Sequence, residues 1–193
     1  MRWRGRRMPG VMAAALAGVL VAGCAAGASA PATAGSTAGR PTSSATATGL
    51  ALATLPDLTL PRLGVAGSER LPAVPAGTPT VINLWASWCT PCQQELPSLQ
   101  AVADSAGPRL RFLGVLTKDG GDGWRQTVQE TAVRYPSVRD DDGELLARLR
   151  VPPALPVTVL VRGEGSVAGV YQGPALTQPA LRQLVAERLG VAL

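Results

Sequence analysis

The chain of 193 residues carries 18 basic and 13 acidic side chains, a formal charge of +5, three cysteines and no histidine. The missing histidine excludes a Ser-His-Asp or Cys-His catalytic system, a His-ligated zinc site and a Cys-x-x-Cys-His haem attachment. An apolar fraction of 46% is enough to bury a core, and the length suits one domain with additional segments.

The first residues read as an export signal. Arg2, Arg4, Arg6 and Arg7 precede an apolar run, 11–22, that is too short to span a bilayer. The run ends Val21-Ala22-Gly23-Cys24, which resembles a bacterial lipobox. Residues 1–23 are therefore expected to be a lipoprotein signal peptide, and Cys24 the acylated first residue of a membrane-anchored, extracytoplasmic chain. A plain secretory cut after Ala28-Ser29-Ala30, ahead of Pro31, is the alternative. Loss of residues 1–23 removes four arginines and no acids, leaving 14 basic and 13 acidic residues and a charge of +1. The basic balance thus belongs to the signal, and no nucleic-acid partner is expected. Residues 25–49 are drawn from Ala, Gly, Ser, Thr and Pro, with Arg40 the only charge, and 24–49 are expected to form a flexible tether.

A folded domain is expected over 50–193. Leu58-Thr59-Leu60 and the stretch 63–71, broken by Pro61 and Gly64, predict a short hairpin at a sheet edge. Residues 80–86 are a nearly continuous apolar strand of the kind buried on both faces. A helix follows over 89–106, then a second buried strand over 110–116 and a helix over 124–135. After the acidic turn Asp140-Asp141-Asp142-Gly143 comes a short helix carrying Leu145, Leu146 and Leu149. That turn falls short of a calcium-loop pattern and reads as a cap for the next helix. Strands at 157–162 and 167–171, joined by Gly163-Glu164-Gly165-Ser166, form an antiparallel hairpin. Leu181, Leu184, Val185 and Leu189 place a last amphipathic helix. The order β-α-β-α-(α)-β-β-α predicts an α/β fold, a mixed sheet covered on both faces.

The chemistry sits at Trp88-Cys89-Thr90-Pro91-Cys92. A spacing of three residues brings the two sulfurs onto one helix face, about one turn apart, where a disulfide closes with little backbone movement. At the helix N-terminus Cys89 is the expected nucleophile, because unpaired N–H groups and the macrodipole favour a thiolate. Cys92, one turn deeper, is the resolving thiol. Pro91 suits the first helical turn. Glu95 follows Cys92 by three residues on the same face, where it can take the proton of the buried thiol; a first-turn glutamate held by the helix dipole is the alternative. Pro97 falls inside the helix and is expected to kink it. Trp88 abuts the nucleophile and is assigned to the substrate-facing surface, Trp85 to the core.

These residues resemble the thioredoxin superfamily, specifically the membrane-anchored TlpA/ResA-like thiol-disulfide oxidoreductases. The resemblance runs from Pro56-Asp57 to the C-terminus. It is strongest over Val81-Ile82-Asn83-Leu84-Trp85-Ala86-Ser87-Trp88-Cys89-Thr90-Pro91-Cys92 and Glu95-Leu96-Pro97, with further matches at Tyr135-Pro136-Ser137, Asp142-Gly143 and Leu155-Pro156. It implies a thioredoxin-like fold with an N-terminal β-hairpin extension, a cis bond at Pro156 facing the dithiol, and a substrate segment lying against Leu155. It also implies an acid at Glu95 that serves the resolving step, while Asn83 stands where classical thioredoxins carry a buried aspartate. The activity implied is disulfide exchange with protein substrates, as a reductase for example in cytochrome c maturation, recharged by a CcdA/DsbD-like membrane donor, with no cofactor and no metal. An oxidant that forms disulfides in exported proteins is the close alternative, since the poise of Cys-x-x-Cys proteins spans roughly −270 to −120 mV. A peroxiredoxin-like peroxidase and a copper-binding module are the readings from other classes. Cys89 lacks the peroxidatic sequence context, and Met1, Met8 and Met12, the only methionines, all lie in the signal.

Overall fold

A computed structural model describes residues 53–71 and 77–193. The expected signal peptide, Cys24 and the whole of the tether lie outside the described residues, as does the expected domain start at residue 50.

Five strands form a mixed sheet in the order β5-β4-β3-β6-β7. Its centre is β3 (Thr80–Trp85), buried at every position, as its unbroken apolar run requires. Parallel to β3 lies β4 (Arg111–Thr117), and parallel to β4 lies the edge strand β5 (Ser137–Asp140). On the other side β6 (Val157–Val161) and β7 (Val167–Gln172) run antiparallel, as the expected hairpin. The N-terminal hairpin, β1 (Leu58–Pro61) with β2 (Ser68–Leu71), is a separate two-stranded sheet. It abuts the β5 edge through an Arg62–Val138 bridge and a Leu63 N–H to Ser137 carbonyl bond of 2.8 Å. Glu69 ties it down further by pairing with both Arg62 and Arg111. Just upstream, Thr54 bridges Ser166, and the Val167 N–H reaches the Ala53 carbonyl at 3.0 Å.

The helices are α1 (Thr90–Ala106), α2 (Gly123–Thr131), α3 (Glu144–Arg148) and α4 (Gln178–Leu189). One face of the sheet, through Val81 and Trp85, packs on Leu96, Leu99 and Val102 of α1, Trp124 of α2 and Leu181 and Val185 of α4. The other face, through Ile82, Leu84 and Val159, packs on Leu145, Leu146 and Leu149 around α3 and on Leu58, Leu60 and Leu71 of the hairpin. The α1 helix stays continuous through Pro97.

Two expectations are corrected. The second helix ends at Thr131, because Ala132 turns left-handed (φ 53°) and Val133 and Tyr135 reach the core from an irregular segment. The sheet has a fifth strand, β5, which the sequence reading passed over. At its end Asp140 is buried and accepts the Glu144 and Leu145 N–H groups at 2.8 and 3.0 Å, so the acidic turn caps α3 from a buried carboxylate.

Candidate active site

The site forms where β3 ends and α1 begins. Ala86 is the last buried residue of the strand run, and the chain then turns outward through Ser87 and the exposed Trp88. Cys89 takes the N-cap position in extended conformation, and its sulfur accepts the Cys92 N–H at 3.2 Å. Pro91 occupies the first turn, where no N–H partner is needed, and is exposed. Cys89 and Cys92 are joined in a disulfide with 5.3 Å between their Cα atoms. Cys92 is fully buried and Cys89 nearly so, which gives the pair one outer and one inner sulfur.

The turn is braced from the segment that follows β4. The Asp119 carboxylate accepts the Ser87 N–H at 2.6 Å, and the Trp88 indole donates to the Lys118 carbonyl at 3.1 Å. Gln93, one turn into the helix, donates to the Ser87 carbonyl at 2.5 Å. Neither Asp119 nor Gln93 was singled out from the sequence. Asp119 is 32 positions from its partner, and no local pattern announces the contact.

The Leu155–Pro156 bond is cis. Pairing of Val157 with Leu84 brings Pro156 to the same end of the sheet as the dithiol loop. Leu155 is half-buried and packs against the cluster that contains both cysteines. Trp88, Pro91, Leu155 and Pro156 are thereby gathered at one end of the fold with the disulfide. Trp85, assigned to the core, is fully buried.

Glu95 is completely buried, one helical turn beyond Cys92. Its two oxygens are held separately, Oε1 by the Asn83 side-chain amide at 2.7 Å and Oε2 by the Leu176 N–H at 3.0 Å. Burial pushes its pKa up from 4.5 to about 7, against the lowering effect of the two hydrogen bonds. A carboxyl with that poise exchanges a proton readily near neutral pH. The sequence identified Glu95 by spacing, but its bond to Asn83 appears only when α1 packs on β3. Among the described residues no group of three or more His, Cys, Asp or Glu side chains is arranged to hold a metal, and none of their helices is long and apolar enough to cross a membrane.

The model of the family described as AhpC/TSA matches residues 52–170, which include the dithiol, Glu95 and Pro156. The chain is 33% identical over 90 residues to the soluble secreted antigen MPT53 of Mycobacterium tuberculosis, covering 47% of this chain and 51% of that protein. It thus spans about half the length of that relative. It is 27% identical over 142 residues to the thiol:disulfide interchange protein HelX of Rhodobacter capsulatus, covering 74% and 78% of the two chains. Among solved structures, a secreted Mycobacterium tuberculosis disulfide oxidoreductase homologous to Escherichia coli DsbE superposes with a TM-score of 0.60 at 28% identity, over 68% of this chain and 96% of that one.

Proposed function

The chain belongs to the AhpC/TSA family, and from that premise we propose that it is a protein thiol-disulfide oxidoreductase of the DsbE/ResA type, working through Cys89 and Cys92. The observation that carries this reading is the graded pair of sulfurs at the α1 N-terminus, with a buried carboxyl one turn behind the inner one.

In the reduced chain, Cys89 thiolate attacks a substrate disulfide, forming a mixed disulfide and releasing one substrate thiolate. Cys92 then gives its proton to the Glu95 carboxylate and attacks the Cys89 sulfur. The bond between Cys89 and the substrate breaks, the second substrate thiolate leaves, and the Cys89–Cys92 disulfide closes. Trp88, Pro91 and Leu155 form the surface against which an extended substrate segment rests, and the cis Pro156 shapes its floor.

In the physiological direction the protein is a reductase of exported substrates, for example in cytochrome c maturation, recharged by a CcdA/DsbD-like membrane donor. The name of HelX, a thiol:disulfide interchange protein, and the DsbE-related oxidoreductase structure support the exchange chemistry. We place the protein outside the cytoplasm, with residues 1–23 as signal, Cys24 lipidated, 24–49 as tether and 50–193 as the working domain. The secreted relatives support the compartment. Equilibration of the full chain with dithiothreitol and glutathione buffers tests the direction: a potential near −270 mV is expected, and one near −120 mV would make it an oxidant. Cys92→Ser is expected to accumulate a mixed disulfide with substrate, visible as a reducible adduct on a gel; Cys89→Ser is expected to form none.

A further inference from the structure

Asn83 commits its amide N–H to Glu95, which leaves its Oδ1 buried without a hydrogen-bond partner among the described residues. Directly across the β3–β6 pair stands Thr158, 1% exposed, whose hydroxyl is likewise without a partner among the described residues. Both belong to one row of residues that crosses the whole sheet: Ser137, Gly114, Asn83, Thr158 and Tyr171. Directly opposed residues of an antiparallel pair point to the same side of the sheet, with Cβ atoms about 5 Å apart. The side of this row is the one on which α1 lies, as the Asn83–Glu95 bond requires.

An amide oxygen and a hydroxyl left buried and unpaired at paired positions are unfavourable, and a water bridges them when it donates to Asn83 Oδ1 and accepts the Thr158 hydroxyl hydrogen. The row ends at Tyr171, which lines a cavity of about 660 Å³ between β7 and α4. Leu176, whose N–H holds the second oxygen of Glu95, lines the same cavity. One oxygen of the glutamate is therefore held by a residue that lines that space.

We propose that Thr158 is a positioning residue for Glu95: its hydroxyl and Asn83 Oδ1 bind one buried water, which locks the Asn83 amide with its N–H toward the carboxylate. Without the hydroxyl the amide is free to turn and present its oxygen, which favours the protonated acid. The other titratable groups facing Glu95 are Tyr135, from the segment after α2, and Tyr171, from β7; burial raises both, so neither is charged near neutrality. Cys89 and Cys92 on its own helix are in the disulfide, and Glu187 and Arg188 of α4 line the cavity.

The role of Thr158 in turnover rests on the exchange reading above, but its effect on the carboxyl does not. The test is a ¹³C carboxyl titration of Glu95 in the oxidised full chain. The Thr158→Val midpoint is expected about one pH unit above wild type, and Thr158→Ser close to wild type. An unchanged midpoint in a folded Thr158→Val chain, or an equal shift in Thr158→Ser, would overturn the proposal. Should the valine chain fail to fold, wild type decides alone: a long-lived water giving NOEs to the Asn83 side-chain amide is expected, and its absence overturns the proposal. Glutathione exchange by wild type is measured alongside, so that an inert dithiol sinks the exchange reading while the titration still judges Thr158.

Discussion

Glu95 is a carboxyl whose folded-state pKa, about 7, lies above its ordinary 4.5. Between those values the folded chain holds a proton that the unfolded chain has released, so stability falls as pH rises from about 4.5 to 7 and then levels off. The cost of carrying the buried charge at pH 8 is on the order of 3 kcal/mol. Glu95→Gln keeps the shape and removes the charge. In urea unfolding of the oxidised proteins, wild type and Glu95→Gln are expected to differ little at pH 5. At pH 8 the Gln variant is expected to be the more stable by that order, and a gap that does not widen with pH would show that the glutamate is not titrating where its burial demands. The same variant is expected to slow release of substrate from the mixed disulfide above pH 6, because the inner thiol loses its proton acceptor.

At the scale of elements, the close approach of β4 and β5 depends on Gly114. A Cβ there would collide with Ser137 Oγ and come within 3.1 Å of the Trp85 indole nitrogen. Gly114→Ala is expected to cost about 1–3 kcal/mol, read by thermal or urea unfolding, since overpacking beside two buried strands has little room to relax. What the sequence made legible follows from how local each signal is. The run Val81 to Trp85, the dithiol spacing and the β6–β7 hairpin carry their information within a few residues. By contrast, β5 holds a single buried hydrophobic residue, Val138, and its carboxylate at Asp140 looks like turn chemistry. Its strand character comes from pairing with β4, which sequence periodicity does not encode. The apparent helix ran on to Tyr135, but the backbone turns left-handed at Ala132, and Val133 and Tyr135, two positions apart, reach the core from irregular chain. In the site the same division holds: Cys89, Cys92 and Glu95 lie on one helix and were found by counting, whereas Asn83, Leu176 and Asp119 join it from other elements.

For the whole molecule, the lipid-anchored reading makes a prediction about the cell. On detergent phase separation the chain is expected in the detergent phase, and Cys24→Ala in the aqueous phase; equal partitioning of both would remove the anchor from the account. The described fold begins at the pole opposite the dithiol. Thr54 bridges Ser166 and Val167 contacts Ala53, beside the end of β6 at Val161, which pairs with Thr80 at the start of β3. The cysteines follow the opposite end of β3, a strand length of about 20 Å away. Whatever precedes residue 53 therefore joins the described domain at the pole opposite Cys89, which leaves the face around the dithiol clear of the point of attachment.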